Sequence, residues 1–526
     1  MRKQLFILGV ACQLTLFAGW SPPINVYTVA DHVPSFPAVG IDADGNAIVG
    51  YYVQYIMDSR AAATQLINGV PENPVDFAPA DGTAGIGSLN IAVNASGNAT
   101  LIWTEFFAAT SSNYLRSTSF LGGMWSTPSA LTDPEVDTVA TPAPPGITMS
   151  SANNSIVDWV STDTMSFLTS VNANSASSGT WGMMGTTLLM PTSDYVPDAV
   201  LAGTPEGHAF ALWPNLGSFD LQGAYFNGTT WTPSVTITTD LTMNCGLPVS
   251  VSMNSSDSVL MLWVNDSQGA LQSTLYNGMT YVDQTVYIPP MGIGVTDLAV
   301  VIGQDGNGAC IWSVYDGTML ISTLYFASYS GGSWGTPIPI ETLMGISTQQ
   351  LYLDIGLDAD GNAIFIWQRT NPDATTDIVA SAMAKGATDV PPTTILSTDS
   401  PNGIEPDLAV NSAGQAVACW LAGDIVQAAI LDDGGLTPPS DLRGSQVKNR
   451  FATQIDRVNV LKWNASPDPS VVKYYIFREG VKIGTVLSSS KLKYEDHNRN
   501  GQTLLYEVTA VNESDDQSDP ISVYVP

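Results

Sequence analysis

Alternating apolar and polar positions, broken by a tight turn and closed by an aromatic residue, recur along most of the chain. FPAVGIDADGNAIVGYY (36–52) returns as LNIAVNASGNATLIW (89–103), PDAVLAGTPEGHAFALW (197–213), LDIGLDADGNAIFIW (353–367) and PDLAVNSAGQAVACW (406–420), with weaker copies ending at Trp159, Trp263 and Trp312. An alternating strand, a tight turn and a second strand closing on an aromatic predict an antiparallel pair in each copy. Six residues before the closing aromatics Tyr51, Trp103, Trp159, Trp213, Trp263, Trp312, Trp367 and Trp420 stand Gly45, Gly97, Asn153, Gly207, Asp257, Gly306, Gly361 and Gly414. Gly, Asn and Asp enter the left-handed backbone region most cheaply, as a short hairpin with a bulge demands. The closing aromatics follow one another at 52, 56, 54, 50, 49, 55 and 53 residues, which leaves room for four short strands per copy.

A second marker covers the other half of each copy. GGMWSTP (122–128), NGTTWTP (227–233) and GGSWGTP (331–337) put a tryptophan ahead of a proline, with weaker forms at SGTW (178–181) and NGMTY (277–281). Proline suits an edge strand, where no ladder donor is needed. WSPPINVYTV, from Trp20, reads like the same outer strand, so the start of the mature chain is expected to complete the last sheet. Four-stranded sheets at such a period predict a β-propeller, whose radial arrangement protects sheet edges. The expected fold is all-β, with an eight-bladed propeller over residues 20–437. Seven blades, an open row of sheets or two smaller rings stay open, because GGLTPP (434–439) offers a final strand of its own and the stretch from Val53 to Gly82 is degenerate. Over roughly residues 20–436 the repeats resemble those of large bacterial exported proteins that pair a strand, turn and tryptophan unit with a GGxW unit.

The period stops near Pro438. PPSDL (438–442), VNVLKW (458–463), PDPSVVKYYIFREGVKIGTV (467–486), KYEDH (493–497), LLYEVTAVNESDDQSDP (504–520) and ISVYV (521–525) follow in an order that resembles the fibronectin type III family over 438–526. The resemblance implies an immunoglobulin-like sandwich with Trp463 in its second strand and Tyr506 as the tyrosine corner, serving as a spacer or binding module without chemistry. Arg443, Gly444 and Ser445 stand where an RGD tripeptide would be needed, so integrin-type adhesion is not supported.

Charge marks the same boundary. Residues 441–526 hold 11 Lys+Arg and 11 Asp+Glu, while residues 1–440 hold 6 and 37. So acidic a repeat region repels nucleic acid and anionic membranes and favours cations or basic partners. Arg2 and Lys3, an apolar run from Leu5 to Phe17 and the small residues Ala18 and Gly19 read as a secretory signal over 1–19, and no later run is long enough for a transmembrane helix. We expect a monomer that is secreted or on the cell surface, with the periplasm as an alternative. A lipid anchor at Cys12 is disfavoured by Gly9, where a branched apolar residue is wanted. Cys245, Cys310 and Cys419 remain, an odd number from which no disulfide framework follows.

Candidate chemistry is sparse. Asp42, Asp44 and Asn46, and again Asp358, Asp360 and Asn362, alternate oxygen ligands as calcium loops do. Against calcium, Ala47 and Val53 stand where an EF-type loop needs glycine and an acid, and other copies keep the turn while losing the acids. Arg60, Arg116 and Arg369 each follow a closing aromatic, and in a ring would share one face, which makes them candidates for an anion site of the sialidase kind. Against that, the sialidase repeat places its tryptophan three residues after the glycine and this one places it six. The chain carries no HExxH, GxSxG, phosphate loop or CxxC, so zinc hydrolase, serine hydrolase, nucleotide and redox-motif readings lack their first requirement. The expected function is an interaction scaffold binding a protein or glycan, at a cell surface or in the extracellular space, through loops of one propeller face. The alternative is a glycan-active enzyme, glycosidase or lyase-like, with paired carboxylates at the propeller mouth.

Overall fold

The computed structural model describes residues 19–28, 33–55, 59–80, 83–107, 112–132, 144–163, 166–182, 185–241, 249–265, 269–344, 351–398, 402–431, 439–450, 455–466, 471–499, 503–512, 517, 518 and 520–525. The signal segment up to residue 18, with Cys12, lies outside them, as do His32, Cys245 and residues 434–438 of GGLTPP. Among the described residues every regular element is a β-strand. The chain forms two compact units, Gly19–Asp432 and Asp433–Pro526.

Among the described residues of the first unit the strands make eight small antiparallel sheets, an arrangement consistent with β-propeller-like folds. Sheet 1 runs Val33–Ile41, Ala47–Gln54, Ser59–Ile67 and Val70–Pro71, with Val75–Phe77 beside its third strand, so the degenerate stretch still supplies outer strands. Sheets 2 to 7 follow in chain order, over 83–130, 146–192, 200–238, 250–287, 293–344 and 354–395. Sheet 8 takes Gly403–Val410, Ala416–Ala422 and Ile425–Leu431 from the end of the unit and its fourth strand, Ile24–Tyr27, from the beginning. Trp20 adds a bridge to Leu431.

The core lies between the sheets. Clusters of buried side chains join sheets 1 with 2, 2 with 3, 3 with 4, 4 with 5, 5 with 6, 6 with 7, 7 with 8, and 8 with 1. A sheet covered on both faces needs apolar residues at successive positions. Ala209–Asn215 and Ala416–Ala422 are accordingly buried at every residue. First strands come so close that a Cβ on Gly40 would collide with Val93, and one on Gly356 with Val410. Where an outer strand carries a tryptophan, as in sheets 2, 3 and 6, the ring staples its sheet to the one before. Trp181 donates to Ser117 Oγ and Trp334 to Ser273 Oγ, both at 2.7 Å, and Trp125 meets Phe77 edge-on at 5.1 Å.

All eight corner residues have positive φ, between 59° at Asp257 and 93° at Gly207. Corners of neighbouring sheets are also hydrogen-bonded or lie in contact. Ala43 N donates to Ala95 O, Asn94 Nδ2 to Ser150 O, Ser151 N to Pro205 O, Asn254 Nδ2 to Gly303 O and Ala359 N to Ser412 O. His208 pairs with Asp257 and Lys385 with Asp305. Asn411 Nδ2 donates to Asp42 O, which links sheet 8 to sheet 1.

The second unit has a three-stranded sheet, Ser440–Arg450, Ile455–Asn464 and Lys493–Asp496, and a four-stranded one, Val481–Leu487, Lys473–Arg478, Leu504–Val511 and Ile521–Val525. Leu461 and Trp463 of the first sheet share a core with Tyr474, Ile476, Tyr506 and Val508 of the second. Tyr506 OH donates to Asp496 Oδ2 at 2.7 Å and accepts from Asn459 Nδ2 at 3.0 Å, which ties the two sheets together.

Candidate functional site

In a four-stranded antiparallel sheet the turns after strands one and three lie at one end. The connections after strand two and from strand four to the next sheet lie at the other. The hydrogen-bonded corners of the first unit therefore define one end, and the loops after the closing aromatics belong to the opposite one. The first strand of each sheet has one edge without a ladder partner, and its buried N–H groups must find acceptors elsewhere.

Aspartates supply them. Asp407 Oδ2 accepts from Val39 N at 2.7 Å, Asp354 Oδ2 from Leu408 N at 2.9 Å and Asp297 Oδ2 from Leu353 N at 3.2 Å, each across a junction of sheets. Between sheets 5 and 6, Ser250 and Ser252 do the same for Val300 and Ile302. Asp158 Oδ1 accepts from Gly146 N at 3.1 Å, and its Oδ2 has no partner among the described residues. Burial pushes the carboxyl of Asp297 up to about 6 and those of Asp198 and Asp158 to about 7 and 8, the last also through the charge of Asp198. Asp354 and Asp407 are raised together, first by burial and, for Asp354, next by the charge of Asp407. These aspartates were not singled out in the sequence. For all but Asp158 the signal is an Asp nine residues before the corner, at 198 and 297, or seven before it, at 354 and 407.

These shifts set a pH dependence. A carboxyl raised in the folded state leaves the native protein holding more protons than the unfolded chain, so stability falls as pH rises. The contribution is full below about pH 4 and is lost progressively toward pH 8, at no more than about 1.4 kcal/mol per pH unit for each group. The melting temperature is expected to drop between pH 5 and pH 8, and Asp158→Asn to flatten that slope. An unchanged melting temperature across the range would rule this out.

The three arginines lie in sheets 1, 2 and 7, each held by its own partners. Arg60 sits over the Tyr55 ring at 5.0 Å. Arg116 pairs with the fully buried Glu105 at 3.0 Å and donates to the carbonyls of Ala78 and Pro128. Glu105 also accepts from Trp103 Nε1 and Tyr114 OH, so the arginine neutralises a carboxylate that serves the core. Arg369 bridges Glu341 at 3.3 Å and Asp377 at 2.6 Å.

In the DADGN loops the first aspartate caps its own turn. Asp42 Oδ1 accepts from Asp44 N and Asn46 N, and Oδ2 from Asn46 Nδ2. Asp358 accepts from Asn362 N and Nδ2. Asn94, Asn254 and Asn411 accept the same pair of main-chain N–H groups in their own corners, so the position needs an oxygen and not a charge. Asp44 and Asp360 lie exposed at the tips. No group of three or more His, Cys, Asp or Glu side chains among the described residues is placed to hold a metal ion. The Cys310 and Cys419 thiols are buried, and burial raises both well above the usual range.

No protein-family model matches the chain, and no curated protein matches it. Among solved structures it is similar to the polysaccharide lyase Uly1, at 10% identity and TM-score 0.41 over 77% of this chain and 91% of that one. It is also similar to AofleA from Arthrobotrys oligospora, at 13% identity and TM-score 0.33 over 62% and 93%. A third is the NanB sialidase from Streptococcus pneumoniae, at 11% identity and TM-score 0.34 over 78% and 71%. Similarity at this level says nothing of a shared activity.

Proposed function

We propose that residues 20–437 form an eight-bladed propeller whose face opposite the corners binds a protein or glycan. In this reading residues 438–526 are a fibronectin type III module that spaces or anchors it. The supporting observation is the run of corner contacts and shared cores that leads from sheet 1 through sheet 8 and back to sheet 1. Loops at the other end of such a ring converge on one surface, the usual setting for recognition on a rigid scaffold. Residues 1–19 direct export in this proposal, which places the protein outside the cell, as a monomer.

A second reading is a glycan-active enzyme. The observation behind it is the pairing of Asp354 and Asp407, two carboxyls raised by burial, with Asp407's charge acting on Asp354.

Glycan-array and pull-down binding, with and without chelator, tests both. Saturable binding is expected, unchanged by chelator, because the turn itself uses the carboxylate of Asp42. No saturable ligand would defeat the scaffold reading, and dependence on chelator would restore calcium. Cleavage of a bound glycan that Asp354→Asn abolishes, with binding intact, would select the enzyme.

A further inference from the structure

The first strands of sheets 8 and 1, and the residues leading into that of sheet 7, share a strained position nine residues before the corner. Tyr352, Glu405 and Phe36 have φ of 49°, 54° and 49°. Bulky side chains rarely enter this region, and each instance costs on the order of 1–3 kcal/mol. Phe36 and Glu405 also precede prolines, which restricts them further. At both, the register of the first strand slips, between Ser35 and Ala38 and between Ile404 and Asp407. A bulge of this kind re-aims a side chain. Phe36 is turned outward and left 41% exposed.

The bulges bring an aromatic pair and a carboxylate together. Phe36 lies 5.7 Å from Tyr52, ring to ring, at 32°. Glu405 Oε2 accepts from Phe36 N at 3.2 Å, which leaves Oε1 without a partner among the described residues. Gln368 Oε1 accepts from Glu405 N and fixes the backbone of the glutamate. We propose that this junction of sheets 8 and 1 takes the cationic side chain of a lysine or arginine presented by a basic protein partner.

A cation within about 6 Å of an aromatic centroid is attracted by the negative face of the ring. One seated on Phe36 also reaches the Glu405 carboxylate, which sits against the Phe36 main chain. The same sheet already holds such a pair, with Arg60 on Tyr55. The excess of 37 acids over 6 bases in residues 1–440 draws cations to this region of the chain and repels anions. A neutral sugar would meet the same ring and carboxylate but gain nothing from that field.

The proposal rests on reading this end as a recognition face, and it names the partner chemistry. The test is fluorescence anisotropy of a labelled hexalysine peptide on the full chain, at low and moderate salt. Binding is expected to weaken about five- to tenfold in Phe36→Leu, which keeps the apolar bulk and loses the quadrupole. A similar loss is expected in Glu405→Gln, which keeps the acceptor for Phe36 N and loses the charge. Asp389→Asn, an exposed acid elsewhere, should change binding less than twofold. Melting curves check folding, and either site variant alone decides.

Equal binding by Phe36→Leu and wild type, or an equal loss in Asp389→Asn, would mean attraction to the general field and overturn the site. Displacement of the peptide by cellohexaose would make it a sugar site and overturn the cationic assignment while leaving the scaffold reading intact. Failure of hexalysine to bind while the glycan array is positive sinks this inference alone. Failure of both sinks the scaffold reading with it.

Discussion

A chain beginning at residue 29 is expected to lose about 5 kcal/mol or more of unfolding stability relative to one beginning at Gly19. The strand removed, Ile24–Tyr27, is the fourth strand of sheet 8. Val26 and Tyr27 are 5% and 4% exposed, and they belong to the core that joins sheets 8 and 1. Tyr27 lies 5.1 Å from the Tyr51 ring, Asn25 Oδ1 accepts from Gln427 Nε2, and Ser21 N donates to Ile430 O. Two buried side chains of this size carry about 1.5–3 kcal/mol each, and their loss also bares an edge strand. Urea denaturation of the two chains measures the difference. Tyr27→Ala serves if the shorter chain is insoluble, with about 3 kcal/mol expected from the lost aromatic. Equal stability would mean that the strand is an appendage rather than part of the sheet.

Trp367→Ala is expected to cost about 3–5 kcal/mol. The indole is fully buried in the core joining sheets 6 and 7, 5.9 Å from the Phe365 ring, and Nε1 donates to Glu341 Oε2 at 2.8 Å. Its loss opens a cavity and removes a donor from a carboxylate that Arg369 also holds. Trp334→Ala should cost roughly half as much, since that ring is half-buried on an outer strand and its main tie is the bond to Ser273. The contrast can be read from urea midpoints at constant slope. A loss below about 1 kcal/mol for Trp367 would show that the closing aromatic is a surface marker and not a core anchor.

Much of the fold was legible because its signals are local. Glycine, Asn or Asp at a fixed offset from an aromatic reports a backbone angle, and those eight positions have the left-handed φ that the offset implied. The second-strand indoles that mark the repeat are buried in the structure. The site was less legible. Arg116 and Arg369 drew attention as scarce cations, yet Glu105, Glu341 and Asp377 hold them, and those partners lie 8 to 28 residues away in sequence. Asp42 and Asp358 suggested a ligand because acids alternate there, whereas the turn itself takes up their oxygens. Phe36 carried no mark at all, because its exposure follows from a bulge and from a glutamate 369 residues away.

By itself the sequence determined the unit of construction: a hairpin pinned by positive φ and closed by an aromatic, repeated at a near-constant period and followed by a stretch of different composition. Backbone angle and side-chain burial are properties of neighbouring residues, so they can be written into a short stretch of chain. Only the tertiary structure decided which carboxylates cap the edges of first strands, which arginines are spent inside the protein, and where an aromatic pair meets an acid. Those outcomes depend on what the adjoining sheet presents across a junction, and at the junction of sheets 8 and 1 the partners come from opposite ends of the unit.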